Sequence, residues 1–385
     1  MLRICLDVRN IKSIKTGLGR YALNLLGGIA DLDSDNEYIL LKHPSYRNRI
    51  IDRPNFRELP LADDISSVRS VLTHSKVINR LKPDVYHALM HFLPFGLDCP
   101  RTLVTLHDLI WIESPHLAFT NRLKALYNRH IKGRFIKHAV RRADIVIVIS
   151  EATRQRAIEV LGVPSSKCHL IYHGVEEKFL TGESQKRSAD VPAHERLKFF
   201  SGVGEQYIIS LGHTKPYKNV EGIIKAFNLI RSTHADVKLV IVGRGDRYPV
   251  LRRLVEELRL GDRVLFWSSR TDTELSDADI ILLFRHAKML VFPSFVEGFG
   301  FPIVEAMAVG CPVLTSNVSA PKEIAADAGL LVDPHNVNEI AAGMERLLTD
   351  EMLRRKLIER GRRRAAEFTI EKCARATYAL YTTPL

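Results

Sequence analysis

The chain has few cysteines and no long hydrophobic run. Its apolar stretches fall short of the roughly 18 consecutive residues that a membrane-spanning helix needs. The cysteines are scattered, odd in number and never paired as C-x-x-C, so neither a disulfide framework nor a zinc site is expected. Reduced thiols are typical of a cytoplasmic protein, and we expect these to be small buried side chains: Cys5, Cys99, Cys168, Cys311 and Cys373.

A secretory signal and nucleic-acid-binding motifs are also missing. Asp7 and Arg9 interrupt the opening apolar run "LRICLDV", which argues against a signal peptide. No RNP-like aromatic run accompanies the basic residues, so we expect no nucleic acid partner. A chain of 385 residues is too long for one ordinary hydrophobic core, and two domains are the default expectation.

Two short segments mimic ligand-binding motifs. "DLDSDN" (31–36) resembles a calcium loop, but Asn36 and Lys42 stand where such a loop needs glycine and glutamate. We interpret it as a solvated turn and expect no metal site. "GLGRYA" (17–22) fits the G-x-G-x-x-A dinucleotide fingerprint, yet eight residues separate it from the preceding strand "RICLDV". The sequence therefore disfavours a hydride-transfer enzyme.

Positive charge is concentrated in the N-terminal half. The chain has 56 Lys and Arg against 44 Asp and Glu, for a net charge of +12. No acid lies between Glu113 and Asp144, and a second basic group covers 47–57. This asymmetry predicts an anionic partner, and we expect peripheral contact with an anionic membrane surface at the inner face of the plasma membrane. The bases of the acid-free interval are Arg122, Lys124, Arg129, Lys132, Arg134, Lys137, Arg141 and Arg142.

Short β-branched runs alternate with helical segments along the whole chain. "DIVIVIS" (144–150), "VKLVIVG" (237–243) and "KMLVFPS" (288–294) are typical of strands buried on both faces. Ser150 is the expected N-cap of the helix that follows the first of these. The alternation predicts an α/β protein with parallel sheets.

The polar residues 176–204 interrupt this alternation. We therefore expect an N-terminal Rossmann-like domain at 1–175, a linker at 176–204 and a C-terminal Rossmann-like domain at 205–370. Residues 371–385 are predicted to form a last helix that packs back toward the N-terminal domain.

The most informative stretch is "FVEGFGFPIVEAMAVGCP" (295–312), which indicates a strand, a glycine-rich loop and a helix. Pro302 suits the first helical turn, where a missing N–H costs nothing. Gly298 and Gly300 let the backbone approach a ligand, and the helix N-terminus beside them is suited to a diphosphate. Glu305 could then accept hydrogen bonds from a ribose, and Glu297 could face the group beyond the diphosphate. Alternatively, Glu305 is only a first-turn acid that the helix dipole favours, and Glu297 is a solvated loop acid.

With its E-x7-E motif "EGFGFPIVE", the sequence resembles glycosyltransferase family 4, the retaining sugar transferases of GT-B fold. The resemblance runs from "TGLGRYALNLL" through "VTLHDLIWIESP", "LGHTKPYKN" and "LVIVGRGD" to "VFPSFVEGFGFPIVEAMAVGCPVLTS". It is nearest to bacterial members of the mannosyltransferase type that build cell-surface polysaccharides. The resemblance implies two Rossmann-like domains facing a central cleft.

The resemblance also implies roles for individual residues. His107, Lys218 and Glu297 are the implied catalytic residues, and His107 could instead be a strand-end histidine in a structural hydrogen bond. Lys218 matches the phosphate-binding lysine, Glu297 the acid that binds the donor sugar and Glu305 the one that binds ribose. The implied donor-binding residues are Gly17, Gly19, Lys215, Lys218, Gly243, Glu297, Gly298, Phe299, Gly300 and Glu305.

One position departs from the family. An arginine usually lies near the phosphate-binding lysine, either just after the strand glycine or just before the lysine itself. This chain has His213 and Tyr217 there, with Lys215 between them. Whether Lys215 replaces that charge is left open, because a lysine offers a point charge and not a bidentate fork.

The function implied is retaining transfer of a hexose from a nucleotide diphosphate sugar, which is a co-substrate and not a cofactor. GDP-mannose is the favoured donor, and the acceptor is expected to be a lipid-linked or polysaccharide glycan of the cell envelope. No metal is expected, since Lys218 and the loop amides would stabilise the leaving diphosphate. The alternatives are a UDP-hexose transferase with a soluble acceptor, a nucleotide-sugar epimerase on the same fold and, more remotely, a nucleic-acid-binding protein.

Overall fold

The computed structural model describes residues 1–12, 16–119, 121–181, 206–243, 247–267 and 275–383. They divide into two compact units, of which the first combines Met1–Gly174 with Phe368–Leu385 and the second is Val175–Glu367. Most of the expected linker 176–204 lies outside the described residues; its first part includes a short helix at Glu177–Leu180.

The first unit is built on a parallel sheet. Its described strands are hydrogen-bonded in the order β3-β2-β1-β4-β5-β6-β7. This order makes β1 and β4 neighbours at the sheet centre, with Asp7 opposite Ala88. The strands are β1 Arg3–Asp7, β2 Glu37–Lys42, β3 Phe56–Pro60, β4 Val85–Ala88, β5 Arg101–Leu106, β6 Ile145–Val148 and β7 Cys168–Leu170.

Helices alternate with the strands of the first sheet, except that β2 leads to β3 and β4 to β5 without an intervening helix among the described residues. The predicted N-cap is confirmed, because the Ser150 hydroxyl accepts a hydrogen bond from the Thr153 amide (3.1 Å). A π-helical segment, Asn128–Lys132, joins α6 to α7. The helices are α1 Gly17–Leu32, α2 Val68–Thr73, α3 Ser75–Arg80, α4 Ile110–Glu113, α5 Pro115–Ala118, α6 Arg122–Tyr127, α7 Gly133–Arg142 and α8 Glu151–Leu161.

The second unit has the same design. Its described strands are parallel and ordered β10-β9-β8-β11-β12-β13. They are β8 Tyr207–Leu211, β9 Lys238–Val242, β10 Val264–Trp267, β11 Met289–Phe292, β12 Val313–Ser316 and β13 Leu330–Val332. The helices are α9 Glu177–Leu180, α10 Val220–Ile230, α11 Tyr248–Glu257, α12 Asp277–His286, α13 Phe301–Ala308, α14 Ser319–Ala325, α15 Val337–Thr349 and α16 Glu351–Ala365.

The last helix, α17 (Ile370–Thr382), belongs to the first unit and packs against α1. Gly28 permits the close approach, since a Cβ there would lie 2.7 Å from the Ala374 Cβ. The Tyr381 hydroxyl lies 2.7 Å from Nδ1 of buried His87. Arg101 donates to the carbonyl oxygen of Tyr381 (2.9 Å) at the end of the helix. Packing and C-terminal capping therefore hold this helix in place.

Three smaller expectations can be compared with the structure. All five cysteines are free, and four are buried while Cys99 is half-buried. The interpretation of "DLDSDN" as a solvated turn is wrong for Asp33 and Asn36, which are buried. The Asp33 carboxylate accepts hydrogen bonds from Tyr38 (2.5 Å) and Asn36 (2.8 Å), which replace its lost hydration. In the described part of the chain, no helix is both long and apolar enough to span a bilayer.

Candidate active site

Lys218 and Glu297 meet at the carboxyl edge of the second sheet. Lys218 ends a short 3₁₀ turn after β8, and Glu297 lies in the loop after β11. These two strands are neighbours, so the residues that follow them come together. The Lys218 Nζ lies 2.6 Å from a Glu297 carboxylate oxygen, and the side chains are only 14% and 10% exposed. The structure thus unites two of the three predicted catalytic residues in a largely buried ion pair.

Ser319 fixes the backbone of Glu297 from the first residue of α14. Its hydroxyl donates to the Glu297 carbonyl oxygen (2.9 Å) and accepts from the Glu297 amide (3.3 Å). Ser319 itself has a left-handed backbone, with φ of 57°. No local sequence pattern predicts this role of Ser319. The available signal was its position after β12, the strand next to β11.

Asn219 links the Lys218 turn to the end of β11. Its side-chain amide donates to the carbonyl oxygens of Pro334 (2.6 Å) and Pro293 (3.2 Å). The residue is buried and has a left-handed backbone with φ of 55°, which asparagine tolerates better than most side chains. Asn219 was also missed, although the K-N pair was visible in "LGHTKPYKN". It positions Lys218 and was not recognised because its partners are distant carbonyl groups.

Aromatic rings surround the Lys218 ammonium. It lies 4.6 Å from the ring centre of Phe292 and 5.4 Å from that of Tyr217, distances at which a cation is attracted to the π-face. A Cβ at Gly212 would lie 3.9 Å from Nζ, so the lysine passes close to this glycine. The ammonium is therefore held by Glu297 and two rings at one defined place.

The predicted loop and helix are confirmed between Glu297 and Glu305. Helix α13 begins at Phe301, has Pro302 in its first turn and is preceded by Gly300 with φ of 104°. A residue with a side chain would be strained at that angle. The Glu305 side chain is buried. Together these residues form the glycine-rich helix N-terminus that an anionic group favours.

Phe299 and Gly243, two other donor-site candidates, also contribute to the packing of the fold. The Phe299 side chain is buried and packs edge-on against Phe301, which leaves its backbone as the part that suits a ligand. Gly243 lies so close to the neighbouring strand end that a Cβ would be 1.8 Å from the Gly212 carbonyl oxygen. Glycine is required at 243 by this packing, whatever binds beside it. Lys215 is half-buried, and its carbonyl oxygen accepts from the Lys218 amide (2.9 Å).

In the first unit, Gly17 and Gly19 lie in the first turn of α1. The Thr16 hydroxyl caps that turn by accepting from the Gly19 amide (3.1 Å). The two glycines therefore belong to a helix N-terminus and not to an extended loop. A helix of this length with its N-terminus at a strand's carboxyl end retains the features of an anion site.

His107 directly follows β5 and is buried. Burial lowers the pKa of His107 to about 4, so the ring is neutral at physiological pH. Its Nε2 lies 2.9 Å from the Leu89 carbonyl oxygen and must carry the proton to bond there. Nδ1 is then the nitrogen that can accept a hydrogen bond. His107 is suited to accept from a hydroxyl group and is not suited to act as a general acid.

The ring of His107 belongs to a cluster of buried rings that the sequence pattern did not predict. Tyr21, His91 and His173 lie with ring centres 5.1, 6.5 and 5.5 Å from it. All of these side chains are buried. His91 and His173 were visible only as isolated histidines, because the strands that bring them together are far apart in sequence.

Two family models match this chain in succession. The model "Glycosyltransferase Family 4" matches residues 15–179, and "Glycosyl transferases group 1" matches residues 194–364. Among curated proteins, "O-antigen chain mannosyltransferase B" of Escherichia coli is 25% identical over 397 residues, covering 99% of each chain. "O-antigen chain mannosyltransferase RfbU" of Salmonella typhimurium is 25% identical over 345 residues, covering 83% of each.

Solved structures with the same fold include sucrose-phosphate synthase from Thermosynechococcus elongatus. It superposes with a TM-score of 0.75 at 21% identity, covering 99% of this chain and 98% of that one. WaaG, a glycosyltransferase of lipopolysaccharide biosynthesis, gives a TM-score of 0.71 at 18% identity and covers all of both chains. With two parallel Rossmann-like sheets and both family regions in order, the chain has the GT-B fold and belongs to glycosyltransferase family 4.

Proposed function

We propose that this glycosyltransferase moves mannose from GDP-mannose to a lipid-linked or polysaccharide acceptor, with retention at the anomeric carbon. The observation that carries the proposal is the Lys218–Glu297 pair beside the N-terminus of α13. It combines a cation for a diphosphate with a carboxylate for sugar hydroxyls. Mannose is favoured because the two relatives described above, matched over 99% and 83% of their length, are named O-antigen mannosyltransferases.

Departure of the diphosphate is the step that this site is built to assist. Negative charge grows on the leaving phosphate as the glycosidic bond breaks, and preorganised positive groups stabilise it. Lys218 and the amides of residues 298–300 are the groups that would do so, and we propose that no metal ion takes part. Activity should survive dialysis against EDTA. Recovery by orders of magnitude on adding Mg²⁺ or Mn²⁺ would contradict this role of Lys218.

Retention follows most simply from a same-face route. In that route the leaving phosphate oxygen accepts the acceptor's proton, and the acceptor attacks the face from which the diphosphate departs. A double displacement would instead need a nucleophilic carboxylate. We assign the Glu297 carboxylate, which lies beside Lys218, to hydrogen bonding with the sugar hydroxyls and not to attack on the anomeric carbon. The product's anomeric configuration, read by NMR, tests retention directly.

We further propose that the first unit binds an anionic membrane surface, such as the inner face of the plasma membrane. Within the basic interval, α6 exposes Leu123 (79%), Leu126 (55%) and Tyr127 (44%). The neighbouring bases Arg122, Lys124 and Arg129 are exposed as well. Apolar side chains flanked by bases suit an interface in which the former enter the headgroup region and the latter contact phosphates.

A thermal-shift panel of GDP-, UDP-, ADP- and dTDP-sugars tests the donor. A ligand at 100 times its dissociation constant stabilises by about 2.7 kcal/mol, which gives a clear rise in Tm. We expect GDP-mannose to give the largest rise. A larger rise with a UDP-hexose would favour the alternative donor. Conversion of the donor to a different sugar nucleotide without any acceptor would show an epimerase.

A further inference from the structure

His91 is a buried histidine without a hydrogen bond. The residue is only 5% exposed, and neither ring nitrogen has a hydrogen-bond partner among the described residues. A neutral imidazole has one donor and one acceptor, and leaving both unused in a buried place costs stability. Its nearest rings are those of Phe92 and Trp111, with centres 5.0 and 5.9 Å away, and the charge of Lys132 also acts on it. Nothing in the packing requires nitrogen atoms at this position.

The location of His91 connects it to the candidate site. It lies three residues beyond the end of β4, and its ring centre is 6.5 Å from that of His107, which follows β5. Asn10 lies three residues beyond the end of β1, the strand beside β4, and is also buried. Its side-chain carbonyl oxygen likewise has no partner among the described residues. Ligands of parallel α/β sheets bind at this carboxyl edge.

The chemistry of these groups selects a hydroxylated ligand. Burial lowers the pKa of His91 to about 3, so the ring is neutral, and the Asn10 amide is neutral as well. The Asn10 amide nitrogen already donates to the Leu18 carbonyl oxygen (3.0 Å), so its oxygen is the acceptor on offer. A neutral ring that donates and accepts, beside a neutral acceptor, matches hydroxyl groups. A metal is not favoured, since the described part of the chain holds no group of three His, Cys, Asp or Glu arranged to bind one.

We propose that His91, assisted by Asn10, binds hydroxyl groups of the acceptor sugar and sets acceptor specificity. This proposal rests on the proposed glycosyltransferase function, and it identifies the side chains that select the acceptor. His91 would then be a binding residue on the acceptor side, distinct from Lys218 and Glu297, which face the donor. The energetic cost of its unused nitrogens in the free protein is recovered when the acceptor binds.

The test pairs His91→Phe with deoxy acceptors. Phenylalanine preserves the ring packing and removes both nitrogens. Initial rates are measured with GDP-mannose and octyl α-mannoside, and with its 2-, 3-, 4- and 6-deoxy analogues. We expect His91→Phe to lower kcat/KM for octyl α-mannoside on the order of 10-fold, mainly through KM. With the wild type, one deoxy analogue should have a kcat/KM lower than that of octyl α-mannoside by a similar factor. With the variant, the same analogue and octyl α-mannoside should have nearly equal kcat/KM, which is the signature of a direct contact.

Two controls distinguish a direct contact between His91 and the acceptor from a purely structural role of His91. His138→Phe alters another histidine with an unpartnered ring nitrogen, but on helix α7, and should leave acceptor kinetics unchanged. The Tm of His91→Phe should equal or exceed that of the wild type, and GDP binding should be unchanged. A lower Tm with uniform loss for all acceptors, or unchanged acceptor KM, would overturn the proposal. If the wild-type protein transfers sugar to no glycoside and consumes no donor, the proposed function itself fails.

Discussion

The Lys218 ammonium and the Glu297 carboxylate lie 2.6 Å apart. An incoming diphosphate therefore competes with Glu297 for the same cation. Binding of the diphosphate would draw Lys218 toward phosphate and free Glu297 to accept hydrogen bonds from the donor sugar. In the proposed function the ion pair thus links recognition of the diphosphate to recognition of the donor sugar, and substitution of each residue should affect a different one of the two.

Lys218→Ala should reduce both catalysis and nucleotide binding. Losing one preorganised charge that stabilises the leaving group lowers kcat on the order of 100- to 1,000-fold. The variant also leaves the largely buried Glu297 carboxylate facing the diphosphate without its counter-ion. Isothermal titration with GDP, combined with transfer kinetics, measures both effects. Normal kcat with weakened GDP binding would show that Lys218 acts only in the ground state.

Glu297→Gln should separate binding from catalysis. The amide keeps the shape of the carboxylate but no longer competes for the Lys218 ammonium, so GDP affinity should stay the same or increase. Weaker hydrogen bonds to the donor sugar should lower kcat. The same titration and kinetic assays apply. If Glu297→Gln weakened GDP binding as much as Lys218→Ala, the proposed division of labour would be wrong.

Glu305→Gln should act mainly on the nucleotide. A charge-assisted bond to ribose is present in the ground and transition states alike, so its loss should raise KM and weaken GDP binding with little change in kcat. The expected change in affinity is on the order of 10-fold. Because Glu305 is buried behind the turn at Gly300, thermal unfolding must show that the variant is intact. A large fall in kcat at unchanged KM would contradict a ribose contact.

Much of this site could be predicted from the sequence, because strands, glycine-rich loops and helix starts are local patterns. The helix beginning at Phe301 and the N-cap at Ser150 follow from such patterns. Ser319 and Asn219 could not be found in this way, because their partners are backbone groups of segments distant in sequence. The proximity of His91 to His107 depends on which strands are neighbours, and local patterns do not determine strand order.

Acid should destabilise the first unit through its buried histidines. Burial lowers the pKa of His107 to about 4 and, with a further contribution from His107, that of His87 to about 3. Below pH 6.5 the unfolded chain binds protons that the folded state refuses, so stability falls as pH decreases toward these values. Each histidine contributes up to about 1.4 kcal/mol per pH unit. Calorimetric unfolding between pH 7.5 and 5 measures this, and His87→Gln should make the decline shallower; an identical slope would contradict the assignment.

Leu123→Ser combined with Leu126→Ser should weaken membrane binding without affecting transfer to a soluble acceptor. Both side chains are exposed on α6, and burying a leucine in an apolar environment contributes about 1.5–3 kcal/mol when burial is complete. Partial insertion of two leucines should therefore change affinity for anionic vesicles on the order of 10- to 100-fold. Cosedimentation with phosphatidylglycerol vesicles measures the change.

The matched control for this surface is Met352→Ser, since Met352 is 84% exposed but lies on α16 of the second unit. It should bind vesicles like the wild type. Each base near an anionic surface adds on the order of 1 kcal/mol to the free energy of vesicle binding. Salt screens this electrostatic contribution but not the apolar contribution of the leucines. Raising the salt concentration should thus weaken the wild type and the double variant by the same factor. Vesicle binding that is absent, indifferent to salt or equally weakened by Met352→Ser would remove α6 and its neighbouring bases as the membrane contact.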